Sequence, residues 1–131
     1  MSKLTTFRHD DKEHAVSFIE TIKVNRFVEC DVYEFQDLKD RDLALITVQP
    51  HGSTPLQEIL LEDSTTVQGY LSGEGGFILN DKKYTSFDVG QEFVVHKGDT
   101  MQWKAGDTEL HYYEICIPKY KDGRYRNIAE E

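Results

Sequence analysis

From Phe27 onward, apolar and polar residues alternate with a period of two, and turn residues interrupt this pattern at short intervals. A period of two is typical of β-strands, because successive side chains of a strand point to opposite faces. Gly, Asn, Asp and Lys supply the turns. The pattern predicts nine strands, near residues 27–35, 43–48, 56–62, 65–72, 77–79, 83–87, 92–96, 100–104 and 109–117. The expected fold class is all-β, in a closed or sandwiched antiparallel arrangement.

Residues 11–23 are the one segment for which the pattern favours a helix. Apolar side chains such as Phe18 and Ile22 fall on one helical face. Asp10 and Glu13 precede them with the spacing of a capping box. The sequence therefore predicts a short N-terminal helix. An edge strand is the alternative, because the even-numbered positions of the segment also alternate with polar ones.

Length and charge narrow the function classes. A chain of 131 residues is long enough for a single domain with its own core. We expect the core at about residues 27–118 and a C-terminal tail over 119–131. The formal net charge of -9 repels phosphate backbones and anionic lipids, so neither nucleic acid nor a membrane is an expected partner.

The two cysteines, Cys30 and Cys116, lie far apart in strand-like runs. Such spacing fits neither a disulfide framework nor a zinc-binding pair, and it is typical of free, buried thiols. The N-terminal residues contain no apolar signal segment. A cytoplasmic location is the resulting expectation.

The stretch from residue 43 to 118 resembles the cupin superfamily, whose members are small β-barrels of the jelly-roll type. Gly73 and the strand before it are similar to the end of the first cupin motif. Gly90, five residues, and then His96-Lys97-Gly98 are similar to the second motif, with His in place of Pro. The resemblance implies a single-domain jelly-roll barrel, similar to the small RmlC-like barrels, here with a short N-terminal helix.

The positions that would hold the metal in a cupin carry the wrong residues. Thr66 stands where the resemblance places a Glu, and Met101 stands where it places the last His. No alignment of residues 57–62 with the first motif yields a His. Iron, manganese and zinc sites need converging imidazole and carboxylate donors. We therefore expect no metal and no other cofactor.

A polar lumen is the expected ligand site. If Thr66 points into the barrel, Gln68 and Tyr70 do so as well, because alternate residues share a face. Other candidate contacts lie on neighbouring strands and on the turn at the barrel mouth, namely Gln57, Glu58, Glu62, Met101, Trp103 and His51. The alternative places Glu58 and Glu62 on the solvent face and leaves Trp103 as ordinary core.

Three residues are catalytic candidates. His111 and Tyr113 share one face of the last long strand, and if that face points inward they could act as an acid–base pair next to a carboxylate such as Glu62. The alternative is a His that serves only the core.

Two functions are compatible with these expectations. The leading hypothesis is a metal-independent cupin that binds a small polar ligand, with a carbohydrate derivative as a candidate, either as a binding module or as an isomerase, epimerase or lyase. The alternatives are a metal-dependent oxygenase or hydrolase with atypical ligands such as Glu58, Glu62 and His111, and a non-catalytic structural module. A homodimer is expected in each case, because Val67, Leu71 and the strand over 27–35 offer apolar surface.

Overall fold

The computed structural model describes residues 3–60, 64–120 and 123–128 of the chain. Twelve strands make up the regular structure of these residues: β1 Thr6–His9, β2 Lys12–Asn25, β3 Val28–Phe35, β4 Asp42–Val48, β5 Gln57–Ile59, β6 Thr65–Ser72, β7 Gly75–Leu79, β8 Lys82–Tyr84, β9 Glu92–His96, β10 Thr100–Ala105, β11 Leu110–Ile117 and β12 Tyr125–Asn127. The all-β class expected from the alternating pattern is confirmed.

The strands form two antiparallel sheets. The larger sheet has seven strands in the order β1-β2-β3-β4-β11-β6-β9, and the smaller has five in the order β12-β5-β10-β7-β8. Strand β11 is an interior strand of the larger sheet, between β4 and β6. Neighbours that are far apart in the chain, such as β4 and β11, are typical of jelly rolls, in which connections pass from one sheet to the other.

The expected N-terminal helix over residues 11–23 is wrong, and the edge-strand alternative is right. Asp10 and Asp11 adopt positive φ angles of 52° and 62°, which turn the chain back on itself between β1 and β2. Such a pair is typical of two-residue hairpin turns, in which Asp tolerates the left-handed conformation. β1 pairs with the first residues of β2, with Phe7 opposite His14. The carboxylates that resembled a helix cap therefore belong to a hairpin.

The two sheets enclose the main apolar core. Side chains of the larger sheet such as Ile46 and Tyr112 meet Phe77, Met101 and Trp103 of the smaller sheet there. The Trp103 and Tyr112 rings stack with their centroids 4.5 Å apart. The core therefore fills one part of the space between the sheets with aromatic side chains.

The outer face of the larger sheet carries a second apolar cluster. Val67, Tyr113 and Ile115 are buried there, and Phe7 of the N-terminal hairpin packs against them. The Phe7 and Tyr113 rings meet edge to face at 5.0 Å. The hairpin therefore covers apolar surface around Val67 that was expected to face a second copy of the chain.

The C-terminal segment returns to the barrel. Tyr125 of β12 lies opposite Ile59 of β5, so the segment adds an edge strand to the smaller sheet. Nothing helical in the part of the chain that the structure describes has the length and apolar character needed to cross a bilayer.

Candidate functional site

A cavity of about 490 Å³ opens between the inner face of the larger sheet and the loop that leads into β5. Its walls come from β2, β3, β4 and β11 on one side, from Thr54, Pro55 and Gln57 on the other, and from Tyr120 and Tyr125 of the C-terminal segment. The volume is within the range of small-molecule pockets, roughly 300–1,000 Å³. The cavity is therefore the candidate ligand site.

Strand β11 supplies the polar floor of this cavity. Its side chains alternate, so Tyr112, Glu114 and Cys116 line the cavity, while Tyr113 and Ile115 enter the outer cluster. Because this face of β11 points towards the smaller sheet, it places a carboxylate in the interior of the barrel.

A chain of hydrogen bonds fixes Glu114. The Trp103 indole Nε1 donates to Gln68 Oε1 at 3.0 Å, and Gln68 Nε2 donates to Glu114 Oε2 at 2.8 Å. The indole nitrogen can only donate, so the Gln68 amide must turn its oxygen to Trp103 and its NH₂ group to Glu114. The Cys116 thiol, 3.6 Å from Glu114 Oε1, is a weak donor to the other oxygen. The carboxylate is therefore held in one orientation, and its Oε1 accepts only a weak hydrogen bond from the Cys116 thiol.

Burial governs the acidity of the cavity. It raises the pKa of Glu114, against the opposing effects of the Gln68 and Cys116 hydrogen bonds and of the Arg124 charge. Burial also raises the pKa of Asp42, whose Oδ2 accepts a hydrogen bond from the Tyr120 backbone nitrogen at 3.0 Å. Both carboxyl groups therefore hold a proton at a higher pH than exposed ones do.

Burial keeps the two cavity thiols and the Tyr112 phenol neutral. Burial raises the pKa of Cys30 to about 12, and it raises the pKa of Cys116 and of Tyr112 well above their ordinary values. A thiol is a nucleophile only as the thiolate, so neither cysteine is poised for covalent catalysis. The Tyr112 side chain is 5% exposed, and among the residues that the structure describes its hydroxyl makes no hydrogen bond.

Arg124 closes the end of the barrel. Its side chain is fully buried, and its guanidinium donates to the Pro118 and Thr65 carbonyl oxygens at 2.8 and 2.7 Å. Thr66 lies beside it, with its Oγ1 3.1 Å from the Tyr125 hydroxyl. The C-terminal segment is thereby fastened to β6 next to the cavity.

Four of the predicted contacts lie at or next to this cavity. Gln57 lines the wall, with its Nε2 bonded to Asn127 Oδ1 at 3.2 Å. Gln68 and Trp103 form the hydrogen-bonded layer behind Glu114. Thr66 is fully buried and contacts the cavity-lining Tyr125. Thr66 and Gln68 are therefore both buried on the side of β6 that faces the barrel interior.

The other predicted contacts lie elsewhere. Tyr70 stacks on Phe87 and its hydroxyl donates to a backbone oxygen, and Met101 is buried in the main core. Glu58 pairs with Arg126 at the surface. His51 is exposed in its turn, with Nε2 3.4 Å from an Asp107 carboxylate oxygen. None of these four side chains lines the cavity.

The catalytic candidates are not brought together in the lumen. The inward orientation assumed for His111 and Tyr113 is wrong, because this face of β11 is the outer one. His111 Nδ1 lies 3.2 Å from Thr47 Oγ1, and the Tyr113 hydroxyl donates to Glu92 at 2.5 Å. Glu62 lies outside the residues that the structure describes.

The donor set does not fit the metal site that the fold implies. Thr66 and Met101 occupy the expected ligand positions, and Met101 is packed among apolar side chains. Across residues 3–60, 64–120 and 123–128, no group of three or more His, Cys, Asp or Glu side chains could hold an ion together. We therefore derive no chemical step through a metal.

The sequence analysis missed the residues that line the floor of the cavity: Cys30, Asp42, Tyr112, Glu114, Cys116 and Tyr125. Asp42 precedes the predicted strand 43–48 and Tyr125 lies in the predicted tail, while in the strand over 109–117 both faces carry aromatic and aliphatic residues. Hydrophobicity alone could not say which face points inward.

Comparisons with known proteins show the fold. No protein-family model and no curated protein matches the chain. A cupin-2 domain of Rhodospirillum rubrum is similar in structure, with a TM-score of 0.66, 13% identity, and coverage of 95% of this chain and 80% of the other. KdgF of Halomonas sp. has a TM-score of 0.65 at 12% identity, covering 79% and 90%.

A third similar structure is a Streptomyces Pac13 variant with uridine, with a TM-score of 0.66, 14% identity and 84% coverage of each chain. Pac13 is described as a nucleoside dehydratase. At these identities the likeness shows the fold alone. The chain thus has the cupin fold, as its motifs suggested, without the usual metal-ligand histidines.

Proposed function

We propose that this protein binds a small polar molecule in the barrel cavity and does so without a metal. The observation that carries the proposal is the 490 Å³ cavity with Glu114 on its floor, fixed by Gln68 and Trp103. Buried polar groups that a protein orients so firmly are typical of binding sites. The structure of Pac13 with uridine supports a small-molecule ligand for a barrel of this fold.

The cavity also suits proton transfer. Burial raises the pKa of Glu114, so this carboxyl group keeps its proton to a higher pH than an exposed one and can act as a general acid. That property is what an isomerase, an epimerase or a lyase needs at a hydroxyl or carbonyl group of its substrate. We infer that any catalysis depends on Glu114, and a carbohydrate derivative remains the candidate substrate.

The metal-dependent alternative has less support. It needed Glu58 and His111 to converge, but Glu58 pairs with Arg126 on the smaller sheet and His111 lies on the outer face of the larger one. We keep the metal-independent proposal.

A homodimer in the cytoplasm remains a prediction. Val67 is buried under the N-terminal hairpin and the strand over 27–35 lies between two others, so neither is free for a partner. Phe18 and Ile19 of β2, exposed apolar side chains that do not line the cavity, are remaining candidates. Light scattering at micromolar concentration tests the prediction, and a monomer contradicts it.

Filling the cavity tests the proposed function. Ala44 is buried in the cavity wall, whereas Val94 is 49% exposed and lies away from it. We expect monosaccharides, nucleosides and small amines screened by thermal shift to include compounds that stabilise the native protein. Ala44→Trp should abolish these shifts, and the control Val94→Trp should retain them. A screen with no shift, or equal shifts in Ala44→Trp, would contradict the proposal.

A further inference from the structure

The walls of the cavity carry charge of one sign. Three carboxylic acids line it, Glu20, Asp42 and Glu114, and none of the described residues that line it is Lys, Arg or His. The remaining polar side chains on the walls are hydroxyls, thiols and an amide. The chain as a whole has a net charge of -9. A ligand that enters therefore meets hydrogen-bond acceptors and a negative potential.

A second observation concerns the Tyr112 hydroxyl. Tyr112 is 5% exposed and lines the cavity, and its hydroxyl has no hydrogen-bond partner among the residues that the structure describes. The hydroxyl is not one of the fully enclosed side-chain atoms that lack a partner, so it is accessible from the cavity and can bond to a molecule there. Glu114 Oε1, with only the Cys116 thiol near it, has capacity for a further donor on the same strand.

We propose that the cavity takes an organic cation, a small amine whose ammonium group donates to Glu114 and whose carbon skeleton packs between β2 and β5. This inference rests on the proposed function, because it names the class of molecule bound at that site. An ammonium carries three donors and no acceptor, which complements a carboxylate and a phenol oxygen. Tyr120 at the wall offers a ring for cation–π attraction, whereas the Tyr125 ring already has the Arg124 guanidinium over it, 5.9 Å from the ring centroid.

Apolar residues define the rest of the ligand. Ile22, Val24 and Val28 line the cavity towards β2 and β3, and Pro55 faces them from the loop before β5. A fully polar molecule would leave these side chains without a partner. The structure therefore favours an amine that carries an apolar face, such as an amino sugar or an aralkylamine, over a small inorganic cation.

Arg124 is the charge that could weaken this inference. It lowers the pKa of Glu114 and of Asp42 from its buried position at the barrel end. Its guanidinium, however, points to the Pro118 and Thr65 carbonyl oxygens and does not line the cavity. It therefore offers no hydrogen bond to an anionic ligand, while three carboxyl groups remain exposed to the cavity.

The protonation state of Glu114 on the floor of the cavity makes the binding of an amine depend on pH. Glu114 faces Gln68 from β6, Cys30 and Asp42 from β3 and β4, and the Arg124 charge, and burial raises its pKa. A bound ammonium favours the ionised carboxylate, so binding an amine releases a proton from any protonated Glu114. The affinity for an amine should consequently rise with pH until the amine itself loses its proton.

Two series of probes test the proposal on the full chain, each with one carbon skeleton that carries a positive, a neutral or a negative group. The probes are glucosamine, glucose and glucuronate, and phenethylamine, phenethyl alcohol and phenylacetate, each titrated by calorimetry at pH 7. We expect the amine of at least one series to bind roughly 10- to 100-fold more tightly than its neutral analogue, the worth of one hydrogen bond to a charged group. The anions should bind least.

Glu114→Gln keeps the shape and removes the charge, so it should abolish the preference for the amine over its neutral analogue. The control Glu109→Gln alters an exposed acid near the start of β11 and should leave the preference intact. The wild-type series decides the matter even where the variant does not fold.

The outcomes separate the two proposals. If a neutral or anionic probe binds more tightly than the amine in both series, the proposal of a cationic ligand is wrong and the proposal of small-molecule binding stands. Amine binding that persists in Glu114→Gln overturns the assignment of the ammonium group to this residue. If no probe binds and the wider screen of the Ala44→Trp test is also empty, both the cation and the proposed function fail.

Discussion

Replacing Arg124 by Met is the most direct test of how the barrel end is held together. The Arg124 side chain is fully buried, and its guanidinium donates to the backbone oxygens of Pro118 and Thr65. Longer contacts of 3.4 Å reach Thr66 Oγ1 and the Ile117 oxygen. Met has a similar length and no donor, so the substitution removes the hydrogen bonds while filling most of the space.

The magnitude follows from the two short bonds. Each carbonyl oxygen that loses its buried donor costs about 1–3 kcal/mol. The variant no longer buries a charge or the Nε group, which lacks a partner among the described residues, and this recovers part of the loss. We therefore expect the free energy of unfolding to fall by about 3 kcal/mol, which is the typical cost of breaking a buried charged network.

Urea unfolding followed by tryptophan fluorescence measures this loss, because the chain has one tryptophan and Trp103 is buried in the core. Arg126→Met is the matched control. Arg126 lies two residues away, pairs with Glu58 and keeps 62% of its side chain exposed. Exposed ion pairs contribute about 0–1 kcal/mol, so the control should change stability very little.

Equal losses in the two variants would refute the reasoning, since they would mean that burial of the guanidinium adds nothing. A free energy of unfolding that is unchanged in Arg124→Met would refute it as well. Unfolding in two separate transitions would show instead that the C-terminal segment detaches before the barrel opens.

Three further predictions concern other parts of the molecule. Gly69→Ala should lower the melting temperature sharply or prevent folding, because its added Cβ would lie 2.0 Å from the Tyr113 ring, and circular dichroism would record the change. A thiol reagent at pH 7 should modify Cys30 only after the protein is unfolded, since burial raises its pKa to about 12, and rapid labelling of the native protein would contradict this. Asp37→Asn should reduce the loss of stability on acidification. The His14 hydrogen bond lowers the pKa of Asp37, so the ionised carboxylate stabilises the folded protein above pH about 4, and this stabilisation disappears as the pH falls through the lowered pKa. Urea unfolding midpoints of the variant and the wild type between pH 2 and 6 would show the difference.

The fold was predictable because the alternation survives in most strands. The runs near 43–48, 65–72 and 92–96 match β4, β6 and β9 closely. The N-terminal strand was harder to recognise, since fourteen residues with bulges near Phe18 and near Lys23 shift the period away from two. A stretched or shifted alternation looks like a helical face over a short window.

The candidate site was predictable only in part. The positions of Thr66, Gln68 and Trp103 could be predicted, because the motifs locate their strands and the side chains alternate clearly there. The face of β11 that points inward depends on how β4 and β6 register against it, and that depends on contacts far apart in the chain. Glu114 and Tyr112 could therefore not be separated from His111 and Tyr113 by sequence alone.

The bulges of β2 also bear on how the protein avoids fibril growth. β1 covers only the first residues of β2, and the rest of that edge displays apolar side chains such as Ile19 and Val24. A straight edge of this composition is a template for intermolecular strand addition. Register shifts between Phe18 and Glu20 and between Lys23 and Asn25 break the regular spacing of its backbone groups. Straightening the strand by deleting one bulged residue should therefore shorten the lag time of amyloid formation at elevated temperature.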